Sequence, residues 1–115
     1  MRKTDKKLDN NIRKILNEVC ETALSQVEGF IWLTHQVSYD NFPETLYIMC
    51  AFEFNNDLDE AKRLKKDKLI SDLICKKLAH INIKIKADKQ VGFDTQQNCD
   101  SQNNGNWLQR LKLKR

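Results

Sequence analysis

Few residues in this chain are of types that do chemistry by themselves. Cys99, in the polar run QQNCDSQNN, is the only cysteine outside an apolar pattern, and His35 and His80 are the only histidines. A covalent mechanism needs a nucleophile, a base and a group that orients the base. Nothing in the spacing of Cys99, His35 and His80 brings them together. No two Cys or His residues stand at metal-ligand spacing, so no metal or other cofactor is expected. The acidic group Asp57, Asp59 and Glu60 suits the start of a helix, where the helix dipole favours negative charge. We therefore expect no enzyme and identify no small-molecule substrate. The chemistry that remains is binding: aromatic and apolar side chains (Trp32, Tyr47, Met49) and lysines (Lys65, Lys66, Lys84, Lys86).

Those residues depend on the strands and helices that carry them. The stretch TLYIMCAFEF, Thr45 to Phe54, is apolar at both parities of a strand: Leu46, Ile48, Cys50, Phe52 and Phe54 on one face, Tyr47, Met49 and Ala51 on the other. Such a strand is covered on both sides. Leu8 to Val27 places Leu8, Ile12, Ile15, Leu16, Val19, Cys20, Ala23, Leu24 and Val27 on one helical stripe, and Gly29 is placed to end that helix. FIWLTHQVSY follows as a strand, with Ile31, Leu33 and Val37 facing the helices and Phe30, Trp32, Thr34 and Gln36 facing away. DNFPE then turns the chain into an antiparallel partner. From about Asp57 to Ala79 the pattern is helical, and Lys65 to Lys68 either lie within one helix or form a basic corner between two. Ile81 to Ala87 alternates as a strand with Lys84 and Lys86 outward. Asp94 to Asn106 reads as a polar loop whose Asn104-Gly105 pair signals a hairpin. Trp107 to Leu113 either returns as a fourth strand against Val91 to Thr95 or, since Trp107 and Leu111 also fit a helix turn, is helical.

The expected fold class is α+β: one domain over 1–115 with an antiparallel or mixed sheet of three or four strands. Two main helices pack on one face, in the order α-β-β-α-β. The chain has 115 residues, 40% hydrophobic and 31% charged, with net charge +4. That length suffices for a core without crosslinks. Residues 1–7 and 110–115 each carry four cations, so the body between them is mildly acidic, and both ends read as flexible and solubilising. Cys20, Cys50, Cys75 and Cys99 lack disulfide or CxxC spacing and read as free thiols in a reducing compartment. No secretory h-region or membrane-length apolar run is present, so the cytoplasm is expected and no membrane partner.

Sorting the strands by face puts Trp32, Tyr47, Met49, Lys84 and Lys86 together on the side away from the helices. The first expectation is that this open face serves a homodimer or a protein partner. The alternative is single-stranded RNA, with Trp32 and Tyr47 stacking bases and Lys65, Lys66, Lys84, Lys86 and the basic ends holding phosphates. The third is cover by the chain's own C-terminus.

The order helix, strand, strand, helix, helix, strand resembles the type II KH domain of several ribosome-linked proteins, over roughly Leu8 to Ala87. The resemblance implies binding of a nucleic-acid backbone at the corner between the two middle helices. There the family carries GxxG and this chain carries Arg63 to Lys68, RLKKDK, without glycine. Separately, MRKTDKKLDN, WLTHQVSYDNFP and QNCDSQNNGNW look like segments of a small bacterial family. Its members are sometimes labelled Fis-type transcriptional regulators, a helical class ending in a helix-turn-helix. The C-terminal part reads as strand-like, without a recognition helix, and the label is not carried over.

Overall fold

The computed structural model describes residues 2–113. The chain runs α1 (Lys3–Gln26), β1 (Phe30–Gln36), β2 (Tyr47–Phe52), α2 (Asn55–Arg63), α3 (Lys66–Ala79), α4 (Ala87–Gln90), β3 (Val91–Thr95), α5 (Gln96–Asn103) and α6 (Trp107–Leu113). The class is α+β, with six helices and a three-stranded mixed sheet among the described residues. In the strand order β1-β2-β3, β1 and β2 are antiparallel, whereas β2 and β3 are parallel. The parallel pair is made by an α2–α3–α4 crossover, the connection that parallel strands require.

Most of the apolar stripe of α1 is buried, with Ile12, Leu16, Val19 and Ala23 sealed from solvent, while Leu24 at its flank stays exposed. They pack with Ile70, Ile74 and Leu78 of α3, with Leu58 and Ala61 of α2, and with the β2 face Leu46, Ile48, Cys50 and Phe52. Gly29 has φ +84°, and a β-carbon there would stand 2.3 Å from that of Asp57. Asp57 in turn accepts from the Phe54 amide at 3.2 Å and fixes the entry into α2.

Four expectations are corrected. First, β1 carries a bulge at Ile31, since Phe30 pairs with Phe52 but Trp32 pairs with Ala51. The extra residue turns Phe30 onto the helix side, where it meets Phe52 edge-on at 5.9 Å. Second, Ile81 to Lys86 is irregular chain rather than a strand; Ile83 is buried in the helix-side core, and the alternation reflects insertion into that core. The third strand is Val91–Thr95. Third, Trp107–Leu113 is a helix, because Trp107 and Leu111, four residues apart, turn to the same side. Fourth, Asp94 to Asn106 holds α5, capped by Thr95 Oγ1, which accepts from the Asn98 amide at 3.0 Å. The C-terminal part thus contains two helices joined at Asn104–Asn106, but α6 presses Arg110 and Leu111 inward and is not free to enter a groove. Of the ends read as flexible, Lys3–Lys7 belong to α1 and Arg110–Leu111 are packed, while residues 114 and 115 lie outside the described residues. The helical region after β2 is divided into α2 and α3 by a corner at Leu64–Lys65.

Candidate functional site

The sheet face away from α1 and α3 is covered by α5 and α6. By register its residues are Trp32, Thr34 and Gln36 of β1, Tyr47, Met49 and Ala51 of β2, and Gly92 and Asp94 of β3. Met49 is 1% exposed and Ala51 fully buried, and Cys99 of α5 and Leu111 of α6 are buried with them. Trp107 stands edge-on to Trp32 with ring centroids 4.8 Å apart, and its Nε1–H donates to Gln96 Oε1 at 3.0 Å. Asp94 points into this layer and is met by Arg110, whose Nη2 donates to Asp94 Oδ1 at 3.0 Å and whose Nη1 donates to Gln102 Oε1 and Asn103 Oδ1, both at 2.9 Å. The face expected to be open is therefore closed by the chain's own C-terminal helices, the third of the alternatives. Met49 is not available to a partner.

Tyr47 lies across Gly92: a β-carbon on Gly92 would stand 1.8 Å from the Tyr47 hydroxyl oxygen. Burial raises the Tyr47 pKa, and the neighbouring Cys50 and Asp94 add to it. Gly92→Ala should cost of the order of 1–2 kcal/mol, because the ring has to be displaced. Tyr47→Ala in the same background should remove the penalty of Gly92→Ala, which thermal denaturation of wild type and the three variants in a double-mutant cycle checks.

The sequence-derived lysines divide into two places. Lys84 and Lys86 are exposed on the connection between α3 and α4, whose isoleucines insert into the helix-side core; they do not join Trp32 and Tyr47 on one face. Lys65 and Lys66 stand together at the α2–α3 corner. Lys65 has φ +60°, a left-handed conformation that residues with a side chain seldom adopt. Lys62, Arg63 and Lys68 flank it, against Asp67, and Arg63 is drawn back by Glu60 through a 2.9 Å bond from Nε to Oε2. Leu64, at the tip, is half exposed. Beside the corner a groove of about 550 Å³ opens between α1 and α3, with Leu69 and Leu73 on its floor and Lys65, Lys68 and Lys76 along it.

Cys99 and His35 do not meet. Cys99 is the buried residue of α5, with its thiol pKa pushed up by burial, whereas His35 points to the opposite side of the sheet. There His35 belongs to a cluster that the sequence did not reveal. Asp9 of α1, buried, receives Arg13 Nε at 2.7 Å and the Tyr39 hydroxyl at 2.5 Å, and stands 3.1 Å from His35 Nε2. The one signal available in sequence was an aspartate at the edge of the α1 stripe.

Among the described residues, no group of three or more His, Cys, Asp or Glu is placed to hold a metal, and no helix is long and apolar enough to cross a membrane. Comparison with family models, with curated proteins and with solved structures finds no match.

Proposed function

We propose that this protein is a non-enzymatic cytoplasmic module that binds single-stranded nucleic acid, RNA in the first place, through the α2–α3 corner. The observation that carries the reading is Lys65, held in a left-handed turn between two helices and flanked by Lys62, Lys66 and Lys68. The element order resembles the type II KH domain, and the antiparallel–parallel pairing of β1, β2 and β3 is compatible with it. The corner lacks glycine, so phosphates are met by lysine side chains rather than by closely approaching backbone. Trp32 is engaged by Trp107, so the stacking role expected of it is dropped, and attraction is mainly electrostatic.

Such binding falls steeply with salt, by about 0.7 in log–log slope per phosphate contact for a single strand. Fluorescence anisotropy of labelled oligouridylate at two salt concentrations tests the proposal. Lys65→Glu/Lys66→Glu should abolish saturable binding, whereas Lys6→Glu/Lys7→Glu, with the same change in net charge, should retain it. Equal losses in the two variants would reduce the effect to overall charge and overturn the assignment.

A further inference from the structure

The outer edge of β1 has no strand beside it among the described residues, and its surroundings are those of a pairing site. Phe30–Gln36, FIWLTHQ, contains no lysine, arginine, aspartate, glutamate or proline, the residues with which edge strands are ordinarily protected from pairing. The Ile31 bulge disturbs one end and leaves Trp32 to Gln36 in regular register.

Two adjoining hollows open along this edge. One, of about 160 Å³, lies between Arg13, Leu16 and Asn17 of α1 and the consecutive residues Leu33, Thr34 and His35. The other, of about 480 Å³, continues along His35, Gln36 and Val37 and has Lys112 of α6 on its far side. Consecutive strand residues point to opposite faces. They can line one hollow only where it opens onto the strand's backbone edge. Gln36, within this trench, holds the one buried side-chain polar atom that lacks a hydrogen-bond partner among the described residues, Oε1.

The two helices beside the trench also carry exposed apolar side chains. On α1, Leu24 shares the helical flank of Arg13 and Asn17 and is 53% exposed. On α6, Leu108 precedes Lys112 by one turn on the same flank and is 77% exposed. These are two of the large hydrophobic side chains that the fold leaves in water, one on each of the helices that contribute Arg13 and Lys112 to the trench.

We infer that the β1 edge is a self-association site, at which two copies pair β1 with β1 antiparallel about a two-fold axis and join their sheets into one of six strands. The chemistry of the edge selects an extended strand, since its free N–H and C=O groups match only another such ladder. A second copy fits for three reasons. The strand carries no lysine, arginine, aspartate or glutamate, so self-pairing sets no such charges opposite one another. Arg13, the cation nearest the middle, is already neutralised by Asp9. Two-fold pairing presents Leu24 and Leu108 twice, once from each copy, so that both flanks of the joint gain apolar cover. This surface is distinct from the sheet face closed by α5 and α6, and from the nucleic-acid corner.

Light scattering on the full chain across a concentration series should give twice the 13.5 kDa chain mass at the upper end. Leu24→Lys/Leu108→Lys, which changes two exposed side chains, should give the single-chain mass with an unchanged circular dichroism spectrum. Hydrogen exchange should show the outward amides of Trp32–Gln36 protected in the dimer and exposed in the variant. A wild-type chain monomeric at every concentration overturns the inference. So does a dimer that survives the double substitution, or one in which those amides exchange freely.

Discussion

Arg110→Met should lower stability by about 3–5 kcal/mol, the usual cost of removing one member of a buried ion pair. For a domain of this size that lowers the melting temperature by more than about 10 °C. Asp94 and Arg110 have side chains only 3% and 11% exposed. The guanidinium is held in a fork by both Asp94 oxygens and by Gln102 and Asn103, and the same carboxylate accepts from the Thr95 amide at 2.8 Å. With methionine in place of Arg110, Asp94 keeps its burial and loses the forked contact with the guanidinium. Replacing both partners, Asp94→Leu/Arg110→Met, should recover most of the loss, since a buried pair is often no more stable than an apolar pair of like volume. Urea denaturation followed by tryptophan fluorescence checks both, because the Trp32–Trp107 contact lies in the same layer. A near-neutral Arg110→Met would mean that α5 and α6 do not unfold together with the sheet.

That ion pair also marks the limit of what could be read from residue order. The stripe of α1, the β1–β2 hairpin and the two-faced character of β2 depend on contacts repeated every two or four residues, and local spacing carries them. β3 does not announce itself: VGFDT contains Gly92, whose lack of a side chain answers to Tyr47, and Asp94, whose burial answers to Arg110 sixteen positions on. Each of these residues lowers the local preference for a strand, and each is compensated only by a distant partner. Ile81 to Ala87 shows the converse. Its alternation imitates a strand because irregular chain also sends every second side chain into a core.

The candidate sites divide along the same line. That Tyr47, Met49 and Ala51 require a cover follows from their side chains; that the cover is a glutamine- and asparagine-rich helix pair does not, because α5 exposes little apolar periodicity and is tied down by hydrogen bonds. Asn55 illustrates the tie: its amide donates to Gln97 Oε1 at 2.8 Å and its Nδ2 to Asn98 Oδ1 at 3.0 Å, linking the starts of α2 and α5. The charged break at Lys65–Lys68 allows a corner or a continuous helix, since charge alone does not say whether a helix ends. The bare edge of β1 has no sequence signature beyond the lack of charge in FIWLTHQ.

Asp9→Asn should destabilise the protein by about 2–3 kcal/mol near neutral pH, the upper part of the range for buried groups that lose their partners. Burial alone would raise the Asp9 pKa above 3.8, but hydrogen bonds from Tyr39, Arg13 and His35 outweigh it and hold the carboxyl well below the usual carboxylate range. A carboxyl whose pKa is lower in the folded state stabilises the fold when ionised. The contribution is complete above the unfolded value of 3.8 and is lost as pH falls through the folded one. Tyr39 has the opposite sense: burial and the bond to Asp9 raise its pKa, so its contribution persists below the ordinary tyrosine value and fails only in strong alkali. The difference in unfolding free energy between wild type and Asp9→Asn should accordingly be flat from neutral pH down to about pH 4 and narrow below it. Tyr39→Phe, which removes one donor and leaves Arg13 and His35, should cost about 1 kcal/mol and shift the acid limb of the wild-type curve toward higher pH. Urea denaturation of the three proteins across the acid range measures both effects. A wild-type advantage over Asp9→Asn that stays undiminished throughout that range would show that ionisation of Asp9 does not hold α1 to the end of β1.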